Sequence, residues 1–122
     1  MGNTILIVED DRRNMKLFSD LPQVKGYETL EAADGQEGVD CARHRKPALI
    51  LMDIMLPVLN GIEAIRILKA DEETRHIPII ALTSFAIPNE KQQIFEAGGH
   101  EYVLKPVNIK ALITKIRKYL RE

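Results

Sequence analysis

One cysteine, Cys41, stands among 122 residues. That excludes an intrachain disulfide and fits a reducing compartment. No apolar run approaches the ~18–20 residues that a bilayer span requires. The N-terminus lacks the positively charged segment and cleavage site of a secretory signal. An excess of one charge is also missing: 17 basic and 18 acidic side chains give a formal net charge of −1. Net charge alone therefore makes no case for nucleic acid or an acidic partner. Linkers, low-complexity segments and repeats longer than a strand–helix unit are absent too. A membrane span, a disulfide miniprotein and a disordered tail are excluded, and a cytoplasmic protein without membrane contact is expected. The length suits one domain over residues 1–122, and the 45% hydrophobic content can bury a core without covalent staples.

The near-zero charge is a cancellation. Residues 1–104 hold 11 basic and 17 acidic side chains, a sum of −6, whereas residues 105–122 hold 6 basic and 1 acidic, a sum of +5. An acidic body is followed by a basic terminal segment, whose charges are expected to form a solvated helix face.

Five short apolar runs punctuate the chain: Thr4–Val8, Tyr27–Glu31, Ala48–Met52, Ile77–Leu82 and Tyr102–Leu104. The first, third and fourth are almost continuously apolar, as expected of strands buried on both faces of a parallel sheet. Helical periodicity lies between them, over Arg12–Val24, Gln36–Arg45, Ile62–Ala70, Asn89–Ala97 and Ile109–Leu120. Met15, Leu17, Phe18 and Leu21 share the first helix's apolar face, and Ile94 with Phe95 anchors the fourth. The last is the clearest, with Ile109, Leu112, Ile113, Ile116 and Leu120 at 3.6-residue spacing. Gly26, Gly35 and Gly98–Gly99 mark helix stops or turns, and Pro22 is expected to kink or shorten the first helix. Strict alternation predicts a doubly wound α/β domain with five strands and five helices. Such sheets bind ligands beyond the carboxyl ends of their strands.

Those ends carry Glu9–Asp10–Asp11, Asp53, Thr83–Ser84 and Lys105–Pro106. Taken singly, each has a plain reading: a helix cap, a turn residue, another cap, a surface turn. Four such sets converging on one edge point elsewhere. Clustered carboxylates repel, and an oxygen-only donor set without Cys or His favours Mg²⁺ over zinc. Mg²⁺ commonly carries a phosphate oxygen as well, and Asp53 can attack phosphorus as a nucleophile. Lys105 then supplies positive charge, the Thr83 hydroxyl can donate to a phosphoryl oxygen, and Ser84 is small enough to leave room.

The segments ILIVEDD (Ile5–Asp11), LILMDIMLPVLNG (Leu49–Gly61), IIALTS (Ile79–Ser84) and YVLKP (Tyr102–Pro106) resemble the receiver domains of two-component signalling over nearly the whole chain. The resemblance implies a flavodoxin-like sheet of order 2-1-3-4-5. It implies that Asp53 is the phosphoacceptor, that Asp10 binds Mg²⁺ directly and Glu9 through water, and that the Met55 backbone carbonyl is the third protein ligand. Thr83 matches the switch hydroxyl, Tyr102 the aromatic switch residue and Lys105 the phosphoryl-binding lysine. The phosphoryl donor implied is a histidine kinase or histidine phosphotransfer protein. The output implied is a downstream protein at the face of the fourth helix, fifth strand and fifth helix, with no direct DNA binding. Residues Glu9–Phe18 resemble the first helix of DivK-like single-domain cell-division regulators, and Asn14–Phe18 also resembles receivers fused within hybrid kinases. Gly98–Gly99–His100–Glu101 departs from the commoner turn before the fifth strand.

Two other activities compete. An aspartate-nucleophile phosphatase needs an acid/base two residues after its nucleophile, where this chain has Met55. A flavodoxin-like cofactor binder cradles phosphate after its first strand, where this chain has three acids. The expectation is a phosphoacceptor that assists its own phosphorylation and dephosphorylation rather than a turnover enzyme. His44, His76 and His100 lack metal-ligand spacing and read as solvated surface, and Cys41 reads as a small core-facing residue.

Overall fold

The computed structural model describes residues 3–24, 26–84 and 88–120, with the side chains of 21–24 left aside. Five strands alternate with five helices: β1 Thr4–Val8, α1 Arg12–Val24, β2 Glu28–Ala32, α2 Gly35–Arg45, β3 Leu49–Asp53, α3 Gly61–Ala70, β4 Ile79–Thr83, α4 Glu90–Ala97, β5 Glu101–Leu104 and α5 Ile109–Leu120. The strands form one sheet in the order β2-β1-β3-β4-β5, and every pairing is parallel. The continuous apolar runs are buried on both faces, as expected of a central parallel sheet: every residue of β3 and β4 is buried. Leu6, Val8, Ile50, Met52, Ile79 and Ala81 pack with α2, α3 and α4. Ile5, Ile7, Leu49, Leu51, Ile80 and Leu82 face α1 and α5.

Four strands are displaced by one or two residues from the expected runs, and in β3 and β4 the displacement matters for the site. β4 begins at Ile79 rather than Ile77, because Pro78 has no N–H to offer the ladder, although its carbonyl still accepts from the Ile50 N–H at 3.0 Å. At the other end the ladder runs one residue further. Asp53 pairs with Leu82 and Thr83 with Leu104, so both side chains project from paired backbone rather than from a loop.

The early end expected at Pro22 does not occur. α1 continues to Val24, and with two residues left to run, Pro22 forgoes one backbone bond near the helix end instead of breaking its middle. Phe18 is buried, but Leu17, expected on the same apolar face, is 41% exposed; Leu21 lies outside the described side chains. α4 likewise buries Ile94 and exposes Phe95, and Ile109 at the start of α5 is exposed while Leu112, Ile113, Ile116 and Leu120 are buried. Gly35 is not a stop: it is the first residue of α2, behind the cap Asp34, whose carboxylate accepts from the Glu37 N–H. A Cβ there would strike the carbonyl of Leu59. Cys41 is half-buried at the rim of the core.

The basic α5 face is also less free than its composition suggests. Glu101 accepts from Lys115 Nζ at 2.7 Å, Lys118 Nζ at 2.8 Å and Tyr119 Oη at 2.9 Å. Burial alone would raise the Glu101 carboxyl, but these three donors outweigh it and hold the pKa near about 2. His44 and His76 are exposed. His100, also exposed, lies edge-on to Tyr119, and its Nδ1 accepts from the Ile79 N–H at 3.3 Å.

The start of α3 fixes the end of β3. Asn60 caps α3 by accepting from the Glu63 N–H, and the Gly61 N–H donates to the Ile54 carbonyl at 2.9 Å. A Cβ on Gly61 would overlap the Asp53 carbonyl and approach Ile54 Cα to 2.7 Å. Gly61→Ala is therefore expected to destabilise the fold by about 1–3 kcal/mol in urea unfolding. Gly26→Ala has nothing within 4 Å of the new Cβ but sits at φ +92°, and is expected to cost about 1 kcal/mol. Equal stability of Gly61→Ala and the parent would contradict the close packing of α3 on Asp53.

Candidate functional site

The carboxyl ends of β1, β3, β4 and β5 converge as sheet order 2-1-3-4-5 requires. Glu9 follows β1, and its N–H donates to the Ala32 carbonyl at 3.0 Å. Asp53 ends β3 and Thr83 ends β4. Lys105 directly follows β5 and is joined to Pro106 by a cis peptide, and its N–H donates to the Thr83 carbonyl at 2.8 Å. Thus the backbone of β4 positions the lysine that serves β3.

That lysine ties the edge together. Lys105 Nζ lies 3.1 Å from Asp53 Oδ2 and 3.3 Å from Glu9 Oε1. Glu9 and Asp53 are almost completely buried, at 2% and 3% exposure. Carboxylate oxygens of Glu9, Asp10 and Asp53 lie within 4.8 Å of one another, and Asp10 is the exposed member. Burial, then the negative charge of Asp53, pushes the Glu9 carboxyl up to about 7, although the Asp11 N–H and Lys105 pull the other way. Burial would lower the Lys105 ammonium, but Asp53 and Glu9 outweigh it and raise its pKa. One cation between two buried carboxylates leaves the cluster short of positive charge.

The triple acid divides its work. Asp11 is a helix cap: its Oδ1 accepts from the N–H groups of Asn14 and Arg13 at 3.0 and 2.8 Å. Those bonds hold its carboxyl below the usual range. Its own N–H donates to Glu9 Oε2 at 3.2 Å, so the cap also orients Glu9. Met55, two residues beyond Asp53, donates its N–H to Asp53 Oδ1 at 3.3 Å, and its side chain is 55% exposed. A thioether there offers no acid or base, as the phosphatase alternative would need.

Thr83 is buried, and its hydroxyl donates to the carboxylate of Glu90. Glu90 opens α4 and is 2% exposed. Sequence reasoning passed over it, because an acid in the first turn of a helix ordinarily faces solvent and favours the helix dipole; nothing in its spacing marks it as buried. Tyr102 is half-buried on β5, with Phe95 edge-on at 6.1 Å and Lys91 Nζ 5.5 Å above its ring. Ser84 is exposed beside Thr83.

Comparison with known proteins agrees with this geometry. Residues 5–117 match the response regulator receiver domain family. The chain is 45% identical over 120 residues to the polar-differentiation response regulator DivK of Brucella anthropi, and 46% identical to that of Brucella ovis, covering 98% of both chains in each case. Its fold is similar to the receiver domain of the sensor histidine kinase PA1611 from Pseudomonas aeruginosa, whose crystal structure has a magnesium ion coordinated in the active-site cleft; the TM-score is 0.90 at 34% identity, with all of each chain covered. Among the described residues no helix is long and apolar enough to cross a membrane. Family match, strand order and the relatives of equal length agree: the chain belongs to the response regulator receiver family and is a receiver of two-component phosphorelay signalling.

Proposed function

We propose that Asp53 accepts a phosphoryl group from a phosphohistidine of a sensor kinase or phosphotransfer protein, and that the acyl phosphate resets a protein-binding face. The observation that carries this reading is the Lys105 ammonium held between the buried carboxylates of Asp53 and Glu9. An Asp53 oxygen attacks phosphorus in line with the departing imidazole. The O–P bond forms as the N–P bond breaks, and the bonding pair leaves with the imidazole. Lys105 exchanges a carboxylate oxygen for a phosphoryl oxygen, and the Thr83 hydroxyl turns toward another. Tyr102 follows the space that Thr83 vacates. This is catalysis by positioning and charge, with no turnover of free substrate.

The donor set fits a hard cation: three carboxylates within reach of one another, no Cys or His, and a buried Glu9 whose ionised form is only partly compensated by Lys105 and the Asp11 N–H. Glu9, Asp10, Asp53 and the Met55 backbone carbonyl would hold Mg²⁺, which when bound supplies neutralisation of the transferring phosphoryl charge. In this reading the whole span 1–122 is the switch and acts in the cytoplasm. Its output is through protein contact rather than DNA, at the face of α4, β5 and α5, where Phe95, Leu104 and Ile109 are exposed and Phe95 lies edge-on to Tyr102. Similarity to polar-differentiation response regulators supports an output in polar differentiation.

Three outcomes check this reading. Asp53→Asn abolishes Mg²⁺-dependent transfer of radiolabel from a phosphorylated kinase, and persistent labelling of that variant rejects Asp53. Thr83→Ala is still labelled but shows a weaker change at Tyr102 by NMR; a full response would reject the coupling through Thr83. Mg²⁺ affinity is expected to rise with pH. Binding favours ionised Glu9, whose carboxyl holds its proton up to about 7, so calorimetry should give about tenfold tighter binding at pH 8 than at pH 6. Glu9→Gln should flatten that profile, and an equally steep one would show that another group titrates.

A further inference from the structure

Thr83 and Glu90 close a contact that the phosphorylation chemistry does not need. Thr83 is the last residue of β4 and Glu90 the first of α4, each 2% exposed, with the hydroxyl donating to Glu90 Oε1. The other helix starts on this side of the sheet are built differently. Asp34 and Asn60 cap α2 and α3 with side-chain oxygens that accept from the Glu37 and Glu63 N–H groups. Asn89, the cap residue of α4, is left-handed at φ 62° and makes no side-chain capping bond. The start of α4 is thus tied to the sheet by the side chain of Glu90.

We propose that Glu90 is a positioning residue that holds the Thr83 hydroxyl away from the phosphoryl site and passes its release to α4. This rests on the reading of Thr83 as the phosphoryl-sensing hydroxyl. A hydroxyl has one proton to donate. Glu90 and a phosphoryl oxygen on Asp53 therefore compete for it, and only one is served at a time. When Thr83 turns toward Asp53, a buried carboxylate loses a hydrogen bond, which is costly in so dry a site. Movement of Glu90, and of the first turn of α4 with it, relieves that cost. α4 carries Lys91, 5.5 Å above the Tyr102 ring, and Phe95, edge-on to it at 6.1 Å. The contacts thus run from Thr83 through Glu90 and α4 to Tyr102, and phosphorylation biases which of two arrangements they hold.

The test uses the full chain with Mg²⁺ and beryllium fluoride as the phosphoryl mimic. The NMR shift of the Thr83 amide reports sensing, and hydrogen exchange of the α4 amides reports transmission. In Glu90→Ala the half-saturating mimic concentration is expected to fall about threefold or more, because the competing acceptor is gone. The α4 exchange response is expected to drop to less than about half of wild type. Glu90→Gln keeps a carbonyl acceptor and should restore most of the α4 response. In a Thr83→Ala background, Glu90→Ala should change neither readout.

An α4 response in Glu90→Ala equal to wild type overturns the proposal. So does an unchanged half-saturation, or an effect of the same size without Thr83. Should Glu90→Ala not fold, Glu90→Gln carries the test. A neutral acceptor holds the hydroxyl less tightly than a carboxylate, so half-saturation should fall about twofold, and no change overturns the latch. A wild-type Thr83 amide that ignores the mimic would instead reject the parent reading of Thr83.

Discussion

Everything at the working edge depends on Lys105 standing between Asp53 and Glu9. Three carboxylates meet where β1 and β3 end, two of them buried, and like charges at that spacing oppose the fold that gathers them. One ammonium at 3.1 and 3.3 Å offsets part of the repulsion. Glu9 and Lys105 are 96 residues apart in sequence, so the contact exists only because the sheet is wound with β1 and β3 adjacent and β5 at the edge beyond β4. Burial and then the charge of Asp53 raise the Glu9 carboxyl, and a divalent cation would offset both.

Much of this was legible in the chain. Continuous apolar runs marked the buried strands, and the alternation with helices located the ligand edge. Glu9, Asp10, Asp53, Thr83 and Lys105 stood at the strand ends that such an edge collects. What stayed hidden depends on which way a side chain turns once the elements pack. Asp11 turns back to cap α1 while its neighbours turn to the site. Leu17 and Phe95 fit the apolar periodicity of their helices and yet point outward, because the stripe in contact with the sheet is narrower than the pattern. Glu90 carries the opposite lesson: an acid where acids commonly face water is buried, with the Thr83 hydroxyl donating to it. Gly35 reads as a helix stop or a turn and is the first residue of α2, where a Cβ would strike Leu59 from a loop distant in sequence.

The charge pattern gains meaning from the same packing. The −6 of residues 1–104 and the +5 of residues 105–122 cancel in the total, but they do not face each other as two uniform surfaces. Lys105 belongs to the acidic edge, while Lys115 and Lys118 belong to Glu101 at the opposite end of β5. The terminal helix is thereby tied to the strand that carries Tyr102, and in the switch proposed above the rearrangement of that face falls to α4, which contacts the sheet through Glu90.

The most direct test is chemical mapping of the phosphorylated residue. An acyl phosphate is reduced by borohydride to the corresponding alcohol, so an aspartyl phosphate becomes homoserine. After transfer from a phosphorylated kinase with Mg²⁺, followed by borohydride reduction and peptide mass spectrometry, homoserine is expected at position 53. Reduction at Glu9 or Asp10 instead, or at no carboxylate despite transfer of phosphate to the chain, would contradict the account.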